Sequence, residues 1–182
     1  GNARPLINAS HLINDDRPFF MFFADDFFRS KVPHPKQLLE VYKKTKKSVI
    51  SLIEVPKEDS SKYGMADISS EISPGSFRIK QLIEKPGPNL TPSNFAAVSG
   101  YLLTPEVLPI LSKLTPGHSG ELVLADAINE LAKKDAVYGK FIEGVYHDAG
   151  DKIKYLKAVV DHALCDAQIG PQFREYLSTR LK

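Results

Sequence analysis

Two rhythms of apolar and polar positions alternate along this chain, and each change of rhythm marks an element. Six apolar residues, Phe19 to Ala24, run without a polar break into Asp25 and Asp26. Such a run predicts a strand buried on both faces, the habit of parallel sheets. Ser48 to Val55, rich in β-branched residues and closed by Pro56, predicts a second strand. Phe95 to Leu103 and Val137 to Tyr146 predict two more. Met65–Ile68 and Phe77–Ile83 are shorter strands joined around the Pro74-Gly75 turn, which makes one antiparallel hairpin.

Helical spacing fills the intervals. Leu38, Leu39 and Tyr42 predict a helix from Pro33 to about Lys46. Leu124, Ala125, Ile128, Leu131 and Ala132 predict one over Glu121 to Lys134. Ile153, Leu156, Val160, Ala163 and Leu164 form a stripe on a helix that begins after His147-Asp148-Ala149-Gly150-Asp151 and stops at Gly170-Pro171. Shorter helices are predicted over Leu6 to Ile13, from a Thr104-Pro105 cap to about Lys113, and around Phe173, Tyr176, Leu177 and Leu181. Asn14-Asp15-Asp16, Thr115 to Gly120 and Pro86 to Asn94 read as turns or loops. The alternation implies an α/β chain with a largely parallel, mixed sheet flanked by helices.

Composition narrows the function. The 182 residues suffice for one domain, a single core with at most a small appendage. Lys+Arg 24 against Asp+Glu 22 leaves a net charge of +2, which argues against a dedicated nucleic-acid or membrane-surface binder. Lys43, Lys44, Lys46 and Lys47 read as a solvated helix end, with no aromatic residues interleaved for base stacking. Cys165 is the only cysteine, which excludes an internal disulfide and a thiolate metal cluster, and it reads as a small buried hydrophobe. No apolar run approaches a membrane span and no signal segment is present, so the expected location is cytoplasmic.

Candidate chemistry sits at three strand ends: Asp25, Glu84-Lys85 and Asp148. At one sheet edge, two carboxylates can share a divalent cation and a lysine can hold a phosphate. Phosphoryl-type transfer asks little more of a protein than charge neutralisation and in-line positioning. Each residue also has a plain reading: Asp25 as a solvated strand end, Lys85 as a surface charge paired to Glu84, Asp148 as a helix cap. His11, His34, His118, His147 and His162 are scattered without zinc spacing. Gly117-His118-Ser119-Gly120 is not a nucleophile elbow, and the chain has no P-loop and no GxGxxG.

The order FFADDFF, KYG, IEKP, PSNFA with GY, GELVLADAI and HDAGDK resembles the bacterial-type UTP–glucose-1-phosphate uridylyltransferases. These are sugar-nucleotide pyrophosphorylases of nucleotidyltransferase fold, and the likeness runs from about Leu12 to the last helix. It implies uridylyl transfer from UTP to glucose 1-phosphate, giving UDP-glucose and pyrophosphate, with Mg²⁺ as cofactor and a homo-oligomer as the full-length form. It implies Asp25 and Asp148 as metal ligands and Lys85 as the holder of the sugar phosphate. It further implies Glu84 as acceptor of glucose hydroxyls, Gly64 as the close backbone approach to the ring, and Tyr101 as a pocket wall.

The chain departs from that family in two ways. It lacks the GxGTRxxPxTK loop that cradles the triphosphate and the base-reading segment after it, and Val123 and Ala125 replace polar residues while Glu121 and Asp126 remain. The expectation is therefore a C-terminal sugar-phosphate portion, cut by design or by proteolysis and inactive alone. A thymidylyl- or cytidylyltransferase for the same sugar phosphate is the near rival. A non-catalytic sugar-phosphate-binding or oligomerisation domain is the distant one.

Overall fold

In the computed structural model, which describes residues 1–13, 15–116 and 120–180, strand β3 (Ser48–Glu54) is the axis of the main sheet. Its first five residues are buried, and Val49, Ile50 and Leu52 are fully so. It pairs antiparallel with β6 (Phe95–Leu103) and parallel with β7 (Val137–Phe141). The hairpin β4 (Gly64–Ser73) and β5 (Ser76–Glu84) continues the sheet, with β5 antiparallel to β7 from Ser76 to Arg78. Gly64 and Met65 of β4 also pair with Ala97 and Ala96 of β6, so the sheet closes on itself at that point. β1 (Phe19–Met21) lies at the other end of the strand order, against Tyr101 to Leu103.

The sheet is mixed, as the alternation implies, but its balance is corrected. Among the described strands, β3–β7 is the one parallel pairing of this sheet. The Phe19–Ala24 run is likewise not a doubly buried parallel strand. Only Phe19–Met21 pair, antiparallel, and Phe20 and Phe22 stay 41% and 42% exposed. Periodicity cannot separate an apolar edge strand from a central one.

Helix α1 (Arg4–Ala9) continues into a short 3₁₀ turn to Leu12. α2 (His34–Thr45) buries Leu38 and Val41. α3 (Leu108–Leu111) follows a 3₁₀ turn at Pro105–Val107. The Thr104 side chain makes no cap there and shares a hydrogen bond with the Ser48 hydroxyl instead. α4 (Leu124–Ala132) buries Leu124, Ala127, Ile128, Leu131 and Ala132 on one stripe. With the main sheet these make the first compact unit, Gly1–Phe22 and Val32–Glu143.

The second unit comprises Phe23–Lys31 and Gly144–Lys182. Its sheet is a two-stranded antiparallel ribbon, β2 (Asp26–Arg29) with β8 (Val145–Asp148). The predicted single strand Val137–Tyr146 is thus two strands in two sheets. Gly144 breaks it, because a Cβ there would lie 2.8 Å from the Arg29 carbonyl oxygen. α5 (Lys152–Cys165) and α6 (Gly170–Arg180) complete the unit. Gly170-Pro171 opens α6 rather than ending α5, which suits a proline in a first helical turn. Cys165 is exposed at the end of α5, not buried as its residue type suggests. Among the described residues no helix is long and apolar enough to cross a membrane. The Gly117-His118-Ser119 part of the loop, the Asn14 turn position and Leu181 lie outside the described residues.

Candidate active site

Two groups of the expected residues are each brought together, one in each unit. In the first unit, the end of the β4–β5 hairpin sets Gly64 opposite Glu84. A Cβ on Gly64 would stand 3.2 Å from Glu84 Oε2, so the missing side chain leaves the carboxylate an open approach over the backbone. Lys85 follows in the left-handed region, with φ of 46°. Its amide donates to the Tyr63 carbonyl at 3.0 Å, which pins the turn to the start of β4. Its ammonium stands 3.7 Å from Glu84 Oε1 with both side chains about half exposed, a loose pair that a phosphate can outcompete.

Tyr101 lies further along β6 and is 6% exposed. Ala97 faces Leu52 and Tyr101 faces Ile50, so two β3 positions, about 7 Å, separate them despite the four-residue difference in number. The slack is a bulge at Ser99-Gly100, where β6 exchanges β4 for β1 as its outer neighbour. Gly100 has φ of 107°, and a Cβ there would fall 2.2 Å from His34 Cε1 and 2.5 Å from Ser51 Oγ. The Ser51 hydroxyl donates to the Gly100 carbonyl at 2.6 Å, so at Ser51 Oγ the hydrogen comes from His34 Nε2, also at 2.6 Å. Burial holds the His34 imidazole down to about 4, which keeps it neutral. This buried clasp was not legible in the sequence, where His34 reads as a lone histidine.

In the second unit, Asp25 occupies the turn before β2, and Asp148 ends β8 in register with Asp26. The Asp25 carbonyl accepts from the Ala149 amide at 2.7 Å. Both carboxylates converge over Gly150: a Cβ there would lie 3.1 Å from Asp25 Oδ2 and 3.3 Å from Asp148 Oδ1. Asp148 is not the helix cap. Asp151 caps α5, accepting from the amides of Ile153 and Lys154 at 3.0 Å each. Lys154 donates to Asp148 Oδ2 at 2.7 Å, and this hydrogen bond, with one from the Gly150 amide, holds the Asp148 carboxyl below the ordinary range. Lys154 is a neighbour that sequence reasoning missed; its place one turn into the helix after Asp151 was the available signal.

A stack of rings stiffens the ribbon behind the carboxylates. Phe27 lies 5.3 Å from His147 and 5.4 Å from His162, and the two imidazoles are 5.3 Å apart. Burial first, then the His162 charge, pushes the His147 imidazole down. The Tyr146 hydroxyl donates to Asp26 Oδ1 at 2.8 Å, which assigns Asp26 to the ribbon and leaves Asp25 to face Gly150.

An all-oxygen pair with room above a glycine suits a hard divalent cation, which needs one or two carboxylates and takes its remaining ligands from water and substrate phosphates. Among the described residues no cluster of three or more His, Cys, Asp or Glu offers a closed protein cage. The chemistry open to the two groups is cation binding at Asp25 and Asp148, and recognition of a phosphorylated, hydroxyl-bearing ligand at Gly64, Glu84 and Lys85.

Known proteins place this geometry in context. The family model described as nucleotidyl transferase matches residues 1–163. The UTP–glucose-1-phosphate uridylyltransferase of Streptococcus pneumoniae serotype 4 is 35% identical over 181 residues, covering 97% of this chain and 60% of that protein. The Staphylococcus epidermidis enzyme of the same name is 34% identical over 177 residues, with 97% and 61% covered. A solved UDP-glucose pyrophosphorylase complexed with UDP-glucose superposes with a TM-score of 0.83 at 30% identity, covering 89% of this chain and 61% of that one. The Acinetobacter UDP-glucose pyrophosphorylase gives 0.87 at 25% identity, with 100% and 62% covered. The chain therefore spans about three fifths of the length of these relatives. With the family model matching residues 1–163, about nine tenths of this chain, the chain belongs to the nucleotidyl transferase family.

Proposed function

We propose that this chain supplies the sugar-phosphate-binding residues and the metal-binding aspartates for uridylyl transfer from UTP to glucose 1-phosphate. The observation that carries the proposal is the convergence of Asp25 and Asp148 over Gly150. The names of the relatives, and the UDP-glucose complex among the similar structures, support the substrate assignment.

In the proposed reaction a phosphate oxygen of glucose 1-phosphate attacks the α-phosphorus of UTP. A new P–O bond forms, the bond from that phosphorus to the bridging oxygen breaks, and pyrophosphate leaves with the electron pair. The attacking phosphate is already ionised, so no side chain need act as general base. Lys85 holds that phosphate through its ammonium. Glu84 accepts hydrogen bonds from sugar hydroxyls, and Gly64 lets the ring lie against the backbone beside it. Tyr101 backs the pocket from β6. Asp25 and Asp148 would hold Mg²⁺, which when bound supplies charge neutralisation for the reacting phosphates. Lys154 keeps Asp148 ionised through Oδ2, while Oδ1 accepts the Gly150 amide and keeps a further lone pair that could serve a cation.

Mn²⁺ is a suitable probe, because its unpaired electrons broaden nearby amide signals. Selective broadening at Ala149 and Gly150 is expected. It should be lost in Asp25→Asn and in Asp148→Asn, and also in Gly150→Ala, whose methyl group would crowd Asp25 Oδ2 and Asp148 Oδ1 while sparing both acids. Broadening spread over the acidic surface and unmoved by Gly150→Ala would sink the metal assignment. Glucose 1-phosphate should shift the amides of Gly64 and Lys85, and Lys85→Ala should weaken it at least tenfold.

A further inference from the structure

A cavity lies in the first unit, lined on β5 by Lys80 and Gln81, upstream of Glu84 on the same strand. β5 keeps β7 as a neighbour only as far as Arg78. Beyond it the edge is closed by a side chain: Asn129 of α4 accepts from the Leu82 amide at 2.6 Å and donates to the Leu82 carbonyl at 3.0 Å. This pairing mimics a strand's and fixes α4 to the sheet edge. Between that edge, α4 and the segment that follows α3 is a cavity of about 860 Å³, within the size range of small-molecule sites.

Four lysines from three parts of the chain face it: Lys80, Lys113, Lys133 and Lys134. Two acids, Asp126 and Glu130, also line it, so the lining is net cationic. Glu130 is engaged by Lys133, and Lys80 stands 3.7 Å from Asp67 of β4. Among the described residues Lys113 and Lys134 have no ion-pair partner, and no part of the proposed reaction uses them. Ile110 and Leu114 supply an apolar wall on the same side as Lys113. Ammonium groups brought to one concavity repel one another, and an anion in the cavity relieves that cost.

We propose that this cavity binds a small organic phosphate, its phosphate groups on Lys113 and Lys134 and its apolar body on Ile110 and Leu114. The site is independent of the uridylyl-transfer reading. ADP, which has no part in that reaction, and inorganic pyrophosphate, which lacks an apolar body, are the probes. Titrated into this chain and followed by amide shifts, ADP should perturb residues 110–114 and 129–134 saturably. The double variant Lys113→Glu, Lys134→Glu should weaken it at least tenfold; both side chains are exposed, so its melting temperature should stay within a few degrees of the parent's. Added salt should weaken binding, and Lys85→Ala should leave it unchanged. The proposal is overturned by perturbation that does not saturate, by affinity indifferent to the double charge reversal, or by loss on Lys85→Ala. Pyrophosphate binding as tightly as ADP would overturn the organic-phosphate assignment, since Ile110 and Leu114 would then contribute nothing.

Discussion

The two units hold their candidate site residues by different means. The first buries Leu38, Ile50, Leu52 and Ile128 completely around a closed sheet, and its Gly64–Glu84–Lys85 group sits at the end of a hairpin. The second has a two-stranded ribbon and an α5 whose Ile153, Tyr155, Leu156 and Val159 are 45% to 59% exposed. Yet the carboxylates of the second are held in place too, through the Ala149–Asp25 backbone hydrogen bond, the Asp151 cap and the Phe27–His147–His162 rings. Placement of a site can therefore rest on backbone pairing and local hydrogen bonds where there is little core volume.

That contrast can be broken or sharpened by experiment. The largest effect is expected at Gly100, where an alanine meets both a left-handed backbone and the His34–Ser51 clasp. Gly100→Ala should cost about 4 kcal/mol in urea unfolding or prevent folding. Next, Leu52→Ala should cost about 3 kcal/mol by leaving a cavity in the core. Leu156→Ala on α5 should cost under about 0.5 kcal/mol. Equal losses would abolish the distinction between the units.

Acid should separate them as well. His34 has a folded value of about 4 against an ordinary 6.5. Above pH 6.5 the imidazole is neutral whether folded or unfolded. Between pH 6.5 and 4 only the unfolded chain takes the proton, so stability falls as pH falls, by up to roughly 3 kcal/mol. In His34→Gln that slope should flatten, as read from urea midpoints across the window. Asp148 is lowered instead by Lys154, so its contribution persists above the ordinary aspartate value of 3.8 and is lost only as pH falls through its folded value. A comparably small effect is expected from Lys154→Ala, under about 1 kcal/mol at pH 7, with that acid-limb contribution removed.

How much of this was legible in the sequence varies by residue. β3, β6 and the β4–β5 hairpin follow from β-branched runs and the Pro74-Gly75 turn, because their alternation and their neighbours agree. The Phe19–Ala24 run misled because composition does not record how many neighbours a strand has, and β1 has one. The split between β7 and β8 hinges on contacts of Gly144 with Arg29 and Ser30, more than a hundred positions earlier. Asp25, Asp148, Glu84 and Lys85 were visible as charges at strand ends. Lys154, six positions after Asp148, left a local signal that went unread, whereas the His34–Ser51–Gly100 clasp and the Asn129–Leu82 pairing were not visible, since each depends on a tertiary neighbour.

The positive φ of Lys85 sets comfort of the main chain against the role proposed for its amine. A lysine in that conformation gives up about 1 kcal/mol that a glycine would keep. Lys85→Gly should thus melt above Lys85→Ala, and above the parent as well, while being no better than Lys85→Ala at capturing a phosphate. Stability and ligand capture would then be traded against each other at one residue, and that position could be made more robust only by making it less able.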